Sequence, residues 1–171
     1  PDLLKRLYFI QNATGAVMGP LEAFLCARGV KTLELRVREQ CRTAAGLADF
    51  LAADRRVAKV HYPGLPSHPA HDVAARQMQG GFGAMLSFEV AGGGDAAKRL
   101  VESTRLFRLA VSLGAVESLI EQPALMSHAS YDREARLAHG ISDALVRLSV
   151  GLEHLEDLRE DLEQALARAA G

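Results

Sequence analysis

Between residues 33 and 51 the apolar positions recur at three- and four-residue steps: Leu33, Val37, Cys41, Ala44, Ala48 and Leu51. Glu34, Arg38, Glu39, Arg42 and Asp49 fall elsewhere. One stripe inward and charges outward predict an amphipathic helix. Thr32 is placed to cap it, and Asp54-Arg55-Arg56 ends it. Residues 1–30 read as shorter helical pieces broken by Gly15, Gly19, Pro20 and Gly29. Pro20 is suited to open one of them, with Leu21, Phe24 and Leu25 as its apolar stripe.

From residue 57 the period changes. Val57 to Tyr62 reads as a short strand closed by the turn Pro63-Gly64-Leu65-Pro66. Pro69 to Met78 predicts a short helix, and Gly80-Gly81 breaks it. Phe82 to Val90 alternates, with Phe82, Ala84, Leu86 and Phe88 on one face and Gly83, Met85, Ser87 and Glu89 on the other. A helix over 96–104 follows a loop and cap at Gly92-Gly93-Gly94-Asp95, turning Ala97, Leu100 and Val101 inward. Leu106–Ser112 and Val116–Ile120 look extended, Asp132–His139 reads as a helix stopped by Gly140, and Leu145–Val150 is a further strand. In the last helix Leu155, Leu158, Leu162, Ala165 and Leu166 line one side. Glu156, Asp157, Glu160, Asp161 and Glu163 are expected outside. Strands separated by helices after an all-helical lead-in predict an α+β layer fold. The change of period places the one candidate boundary at 54/55.

Composition narrows the function classes. The 171 residues carry 20 Lys plus Arg against 21 Asp plus Glu, a net charge of −1, which gives no electrostatic case for nucleic acid or an anionic membrane. No apolar run approaches the ~20 residues that span a bilayer, and the first residues lead into no signal-peptide core. Cys26 and Cys41 make no disulfide framework, so a cytoplasmic location is expected. Both fall on inferred apolar helix faces and read as core residues rather than nucleophiles.

The best candidate for chemistry is Arg147. Val146, Leu148 and Val150 share one face of a strand, which leaves Arg147 and Ser149 on the other. An arginine amid apolar neighbours needs an anionic partner, and no carboxylate stands two residues away on the strand. Either a neighbouring element supplies a salt bridge, or the guanidinium fork is held for a substrate carboxylate. Ser112 and Gly114 interrupt two apolar runs and predict a turn or bulge with accessible backbone N–H groups. His68 and His71 lack a third ligand at metal spacing, and His128 reads as a hydrogen-bonded structural residue, so no metal site is expected.

Taken together, several motifs resemble the C-terminal part of the pyridoxal-phosphate enzymes of cysteine and methionine metabolism: cystathionine γ-lyase, γ-synthase and β-lyase, and methionine γ-lyase. They are Gln11-Asn12-Ala13-Thr14-Gly15-Ala16, Arg28-Gly29-Val30-Lys31-Thr32-Leu33 and Tyr62-Pro63-Gly64-Leu65-Pro66-Ser67-His68-Pro69. Ser112-Leu113-Gly114-Ala115-Val116-Glu117-Ser118-Leu119, Met126-Ser127-His128-Ala129-Ser130 and Arg147-Leu148-Ser149-Val150-Gly151-Leu152-Glu153 continue the series in the family's order. The resemblance implies a fold type I small domain over 55–171, a mostly antiparallel sheet with helices on one side. It implies that 1–54 are the helical end of the large cofactor domain with its connecting helix. It further implies pyridoxal 5'-phosphate as cofactor, a homotetramer, and a substrate α-carboxylate bound by Arg147 with Ser112.

Departures from the family pattern are equally informative. The family's cofactor lysine ends a Ser/Thr-rich motif, and none of Lys5, Lys31, Lys59 and Lys98 follows that pattern. The lysine is therefore expected upstream of residue 1, and the 171-residue chain alone is expected to be inactive. Val111 stands where many γ-synthases and γ-lyases have glutamate, which marks it as a specificity position. Ser127 replaces the family's usual threonine. The implied activity is making or breaking C–S bonds in transsulfuration, of the cystathionine γ-lyase or γ-synthase kind. Methionine γ-lyase and O-acylhomoserine sulfhydrylase are the enzymatic alternatives, and a truncated non-catalytic domain is the alternative of another class.

Overall fold

A computed structural model describes residues 2–170. They form two compact units, divided between residues 35 and 36. In the first unit lie α1 (Asp2–Thr14) and α2 (Pro20–Val30), with Pro20 in the first turn of α2. Neither helix buries a residue, and Leu4, Tyr8, Phe9, Leu21, Phe24 and Leu25 are all exposed. Cys26 is exposed with them, contrary to its expected place in a core, because nothing in its own unit covers that face.

The long helix α3 (Leu33–Ala53) follows the predicted stripe, and from Gln40 to Leu51 that stripe is buried in the second unit. The division between compact units therefore falls at 35/36, while the change of period lies at 54/55. Periodicity marks where the helix stops. Packing is decided by which part of the helix finds a partner.

The sheet is built from β1 (Val57–His61), β2 (Met85–Val90), β3 (Arg108–Leu109), β4 (Leu119–Glu121) and β5 (Leu145–Ser149), in the order β1-β2-β5-β4-β3. All pairings are antiparallel except β3 with β4. Leu86 and Phe88 of β2, Ile120 of β4, and Val146 and Leu148 of β5 alternate onto one face and are at most 2% exposed. Against that face the core gathers Ala44, Leu47 and Leu51 of α3, Ala97 and Leu100 of α5 (Gly93–Ser103), and Leu158, Leu162 and Leu166 of α7 (Leu155–Ala170). The expected α+β fold, a mostly antiparallel sheet with helices on one side, is the fold observed. The short α4 (His71–Gln77) and α6 (Arg133–Ala138) lie in the connections, and Asp132 caps α6 by accepting from the Ala135 N–H at 2.8 Å.

Two local expectations are corrected. Of Leu106–Ser112 only residues 108–109 join the sheet, and Val116–Ile120 contributes only its end to β4. Asp161, expected on the outer face of α7, is 4% exposed. Its carboxylate accepts the backbone N–H groups of Arg105, Leu106 and Phe107 at 2.8, 2.8 and 3.1 Å. The segment leaving α5 has no helical partners for those donors, and Asp161 supplies the acceptor. Two residues further along α7, Glu163 joins Arg56 at 2.7 Å, and Arg56 also bridges Asp54 at 2.9 Å. The Arg56 guanidinium holds the Asp54 carboxyl below the usual carboxylate range.

Candidate functional site

The face of the sheet turned away from the helices carries Arg147. Antiparallel register sets Glu121 of β4 directly opposite it on β5. Cross-strand neighbours of this kind are within side-chain reach, and Arg147 Nη1 lies 2.9 Å from Glu121 Oε1. Glu121 is thus the anionic partner that an arginine among apolar residues requires, and it comes from a neighbouring strand. The Glu121 side chain is 1% exposed, whereas a quarter of the Arg147 side chain (25%) faces outward.

A second contact fixes the guanidinium plane. Nη2 donates to the main-chain carbonyl of Ser112 at 2.9 Å. The structure thus brings Arg147 and Ser112 together, with the Ser112 carbonyl, not its hydroxyl, meeting the guanidinium. The guanidinium has further N–H donors beyond these contacts, arranged in a planar fork suited to a carboxylate. Val111, next to Ser112, is 54% exposed and makes the neighbouring surface apolar.

The Ser112–Ser118 segment owes its position to the sheet below it. Gly114 has φ +76°, a conformation open to glycine and strained for other residues, and its N–H donates to Ser149 Oγ at 3.0 Å. Gln40 of α3 reaches the Ala115 carbonyl with Nε2 at 2.8 Å, and the Leu152 N–H donates to the Val116 carbonyl at 2.8 Å. Ser118 donates through both its N–H and its hydroxyl to the Glu153 carboxylate, each at 2.8 Å. Gly151 is required at the crossing, because a Cβ there would meet the Val116 carbonyl and stand 2.6 Å from the Glu117 carbonyl carbon. The Ser112-Leu113-Gly114 and Arg147-Leu148-Ser149-Val150-Gly151 motifs, separated in sequence, are therefore one hydrogen-bonded unit.

Behind Glu121 the network continues. Ser127 Oγ donates to Glu121 Oε1 at 3.1 Å and stands 3.0 Å from His128 Nδ1. Glu121, Gln40, Ser149 and Ser127 were not candidates on sequence grounds. Ser149 shares the strand face of Arg147 and Ser127 stands at a motif position, but the signal of Glu121 is slighter, an acid closing the short apolar run Leu119-Ile120, and Gln40 leaves none.

His68 and His71 take local partners: His68 Nδ1 accepts from the Ala70 N–H, and His71 Nδ1 is 2.9 Å from the Pro63 carbonyl. No group of three metal-ligating side chains occurs among the described residues. Lys5 lies on α1, Lys31 between α2 and α3, Lys59 on β1 and Lys98 on α5, and all are exposed. Neither Lys59 nor Lys98 shares a described hydrogen bond or ion pair with Arg147, Glu121 or the Ser112–Gly114 turn.

Comparison with known proteins gives these features a family. The model of the Cys/Met metabolism PLP-dependent enzymes matches residues 1–167. The chain is 51% identical to a cystathionine γ-lyase of Saccharomyces cerevisiae over 169 residues, 98% of this chain and 43% of that protein. It is 49% identical to an L-methionine γ-lyase of Fusobacterium nucleatum over 163 residues, 95% of this chain and 41% of that one. The crystal structure of yeast cystathionine γ-lyase superposes with a TM-score of 0.96 at 50% identity, covering 99% of this chain and 44% of that one. A cystathionine γ-synthase from Xanthomonas oryzae in complex with aminoacrylate and cysteine superposes at 0.93, with 48% identity, over 99% of this chain and 43% of that one. The chain thus spans less than half the length of these relatives. With its fold, its motifs in order and its identity near one half, the chain belongs to the Cys/Met metabolism PLP-dependent enzyme family.

Proposed function

We propose that this chain supplies the substrate-carboxylate site of a pyridoxal-phosphate enzyme that cleaves or forms C–S bonds in sulfur amino acids, of the cystathionine γ-lyase or γ-synthase kind. The observation that carries the reading is the state of Arg147. Its guanidinium is oriented by Glu121 and the Ser112 carbonyl, yet the side chain is still 25% exposed. A charged fork fixed at one edge and open at the other suits an α-carboxylate, which fixes the amino-acid backbone and leaves the side chain to vary.

In this proposal Arg147 binds the carboxylate, and the Ser112–Gly114 turn shapes the wall beside it. Val111 presents an apolar surface where a substrate side chain would pass. Residues 1–54 are proposed as the end of the cofactor domain and its connecting helix. The apolar side chains left exposed on α1 and α2 support burial against further protein, in keeping with a homotetramer. A cytoplasmic location is part of the proposal, supported by the free thiols of Cys26 and Cys41. No helix among the described residues is long and apolar enough to cross a membrane.

Product analysis with cystathionine tests the activity on the full-length holoenzyme. Cleavage at the γ-carbon releases cysteine, 2-oxobutyrate and ammonia, whereas cleavage at the β-carbon releases homocysteine, pyruvate and ammonia. The γ products, or cystathionine formed from cysteine and an activated homoserine, are expected. The β products alone, or no turnover of either kind, would overturn the assignment.

A further inference from the structure

We propose that Glu121 is a positioning residue for Arg147, and that Ser127 acts on Arg147 through it. This deepens the reading of Arg147 as the carboxylate-binding group and rests on it.

The starting point is a cost. Glu121 is 1% exposed, and its Oε2 is buried with no hydrogen-bond partner. Burying a carboxylate with one oxygen unsatisfied is unfavourable, and an apolar residue at such a position is commonly as stable or more so. Its neighbours Leu119 and Ile120 are buried apolar residues, so the strand would accept another. Stability of the sheet therefore gives a poor account of Glu121. Orientation of Arg147 gives a better one.

An arginine side chain is long and rotamer-rich, and a guanidinium held at one point can still swivel. Here it is held at two. Glu121 Oε1 takes Nη1 at 2.9 Å, and the Ser112 carbonyl takes Nη2 at 2.9 Å. Those contacts define the plane and leave the remaining N–H groups for a ligand. Glu121 is itself oriented, because Ser127 Oγ donates to the same Oε1 at 3.1 Å. His128 Nδ1, 3.0 Å from that hydroxyl, completes the series when it donates to Ser127 and turns the hydroxyl proton towards Glu121. His128 is in turn packed on Tyr131, with ring centroids 5.6 Å apart. Charge balance adds a second consequence. Glu121 offsets the charge of Arg147, so the pair attracts anions in general only weakly and selects one that matches the fork.

The test compares glycine with methylamine, which differ by the carboxylate, by calorimetric titration of the full-length holoenzyme. The ratio of their Kd values reads the carboxylate contact alone. Glu121→Leu is expected to cut that preference by roughly tenfold, about the size of one charge-assisted hydrogen bond, and Ser127→Ala by about threefold. Glu121→Gln keeps an oxygen for Nη1 and is expected to stay within about threefold of the parent, while methylamine affinity is unchanged in all of them. Parental preference in folded Ser127→Ala and Glu121→Leu, while Arg147→Gln loses it, overturns the role of Glu121 and spares that of Arg147. Parental preference in Arg147→Gln overturns both. Equal losses for glycine and methylamine, or a Glu121→Gln value as low as that of Glu121→Leu, also overturn the proposal. Should Glu121→Leu fail to fold, Ser127→Ala and Glu121→Gln decide the matter.

Discussion

In the function proposed for Arg147, a salt bridge and a ligand site are not rival explanations of one residue. The guanidinium presents more N–H donors than one carboxylate can use, so Glu121 can take one edge and a substrate another. This changes the cost of removing it. On sequence grounds alone, Arg147→Ala is expected to raise KM far more than it lowers stability. With Glu121 buried at 1% exposure, truncation also strands a carboxylate, and loss of one partner of a buried pair costs up to about 3–5 kcal/mol. Arg147→Ala should therefore lower both the melting temperature and the affinity for substrate. Adding Glu121→Gln removes the stranded charge and should restore most of the melting temperature without restoring KM. Thermal melts beside steady-state kinetics on the full-length enzyme separate the two effects. A KM unchanged in Arg147→Ala would refute its role in binding.

At the scale of elements, hydrophobic period reported faithfully on faces and poorly on partners. Leu86 and Phe88 of β2, Val146 and Leu148 of β5, Ala97, Leu100 and Val101 of α5, and Leu158, Leu162, Ala165 and Leu166 of α7 are buried where alternation and the three-to-four spacing predict. The same spacing put Asp161 outside, because period ranks side chains by hydropathy and cannot see backbone donors some fifty residues upstream in the chain. The site was legible to the same degree. Arg147 stood out as a cation among apolar residues, and Ser112 with Gly114 as a turn between two runs. Glu121, Ser149 and Gln40 matter only through contacts with distant segments, to which single-sequence spacing is blind. Asp161→Asn tests the consequence for α7. The amide keeps one acceptor oxygen and turns an N–H group towards backbone donors, so stability should fall by about 2 kcal/mol. Urea denaturation of the full-length protein measures it. A stability within about 0.5 kcal/mol of the parent would mean that the donors after α5 find other acceptors.

For the molecule as a whole, the proposed function makes recognition of substrate and seating of the cofactor separable tasks. Arg147, Glu121 and the Ser112 carbonyl converge on one face of the sheet, and neither Lys59 nor Lys98 shares their contacts. Lys98 lies instead 4.0 Å from Glu102 along α5, with both side chains more than half exposed. A specific lysine–aldehyde linkage needs an amine held beside a phosphate cradle and shielded from water. Lys5, Lys31, Lys59 and Lys98 are exposed and lie on four separate segments. The 171-residue chain, incubated with pyridoxal phosphate and reduced with borohydride, should therefore carry only low, scattered labelling over Lys5, Lys31, Lys59 and Lys98. Mass spectrometry of a tryptic digest reads the distribution. The full-length protein treated in the same way should be labelled once per chain, at a lysine outside these four. Stoichiometric labelling of a single lysine within the 171 residues would show that this chain seats the cofactor itself, and the separation of tasks would fail.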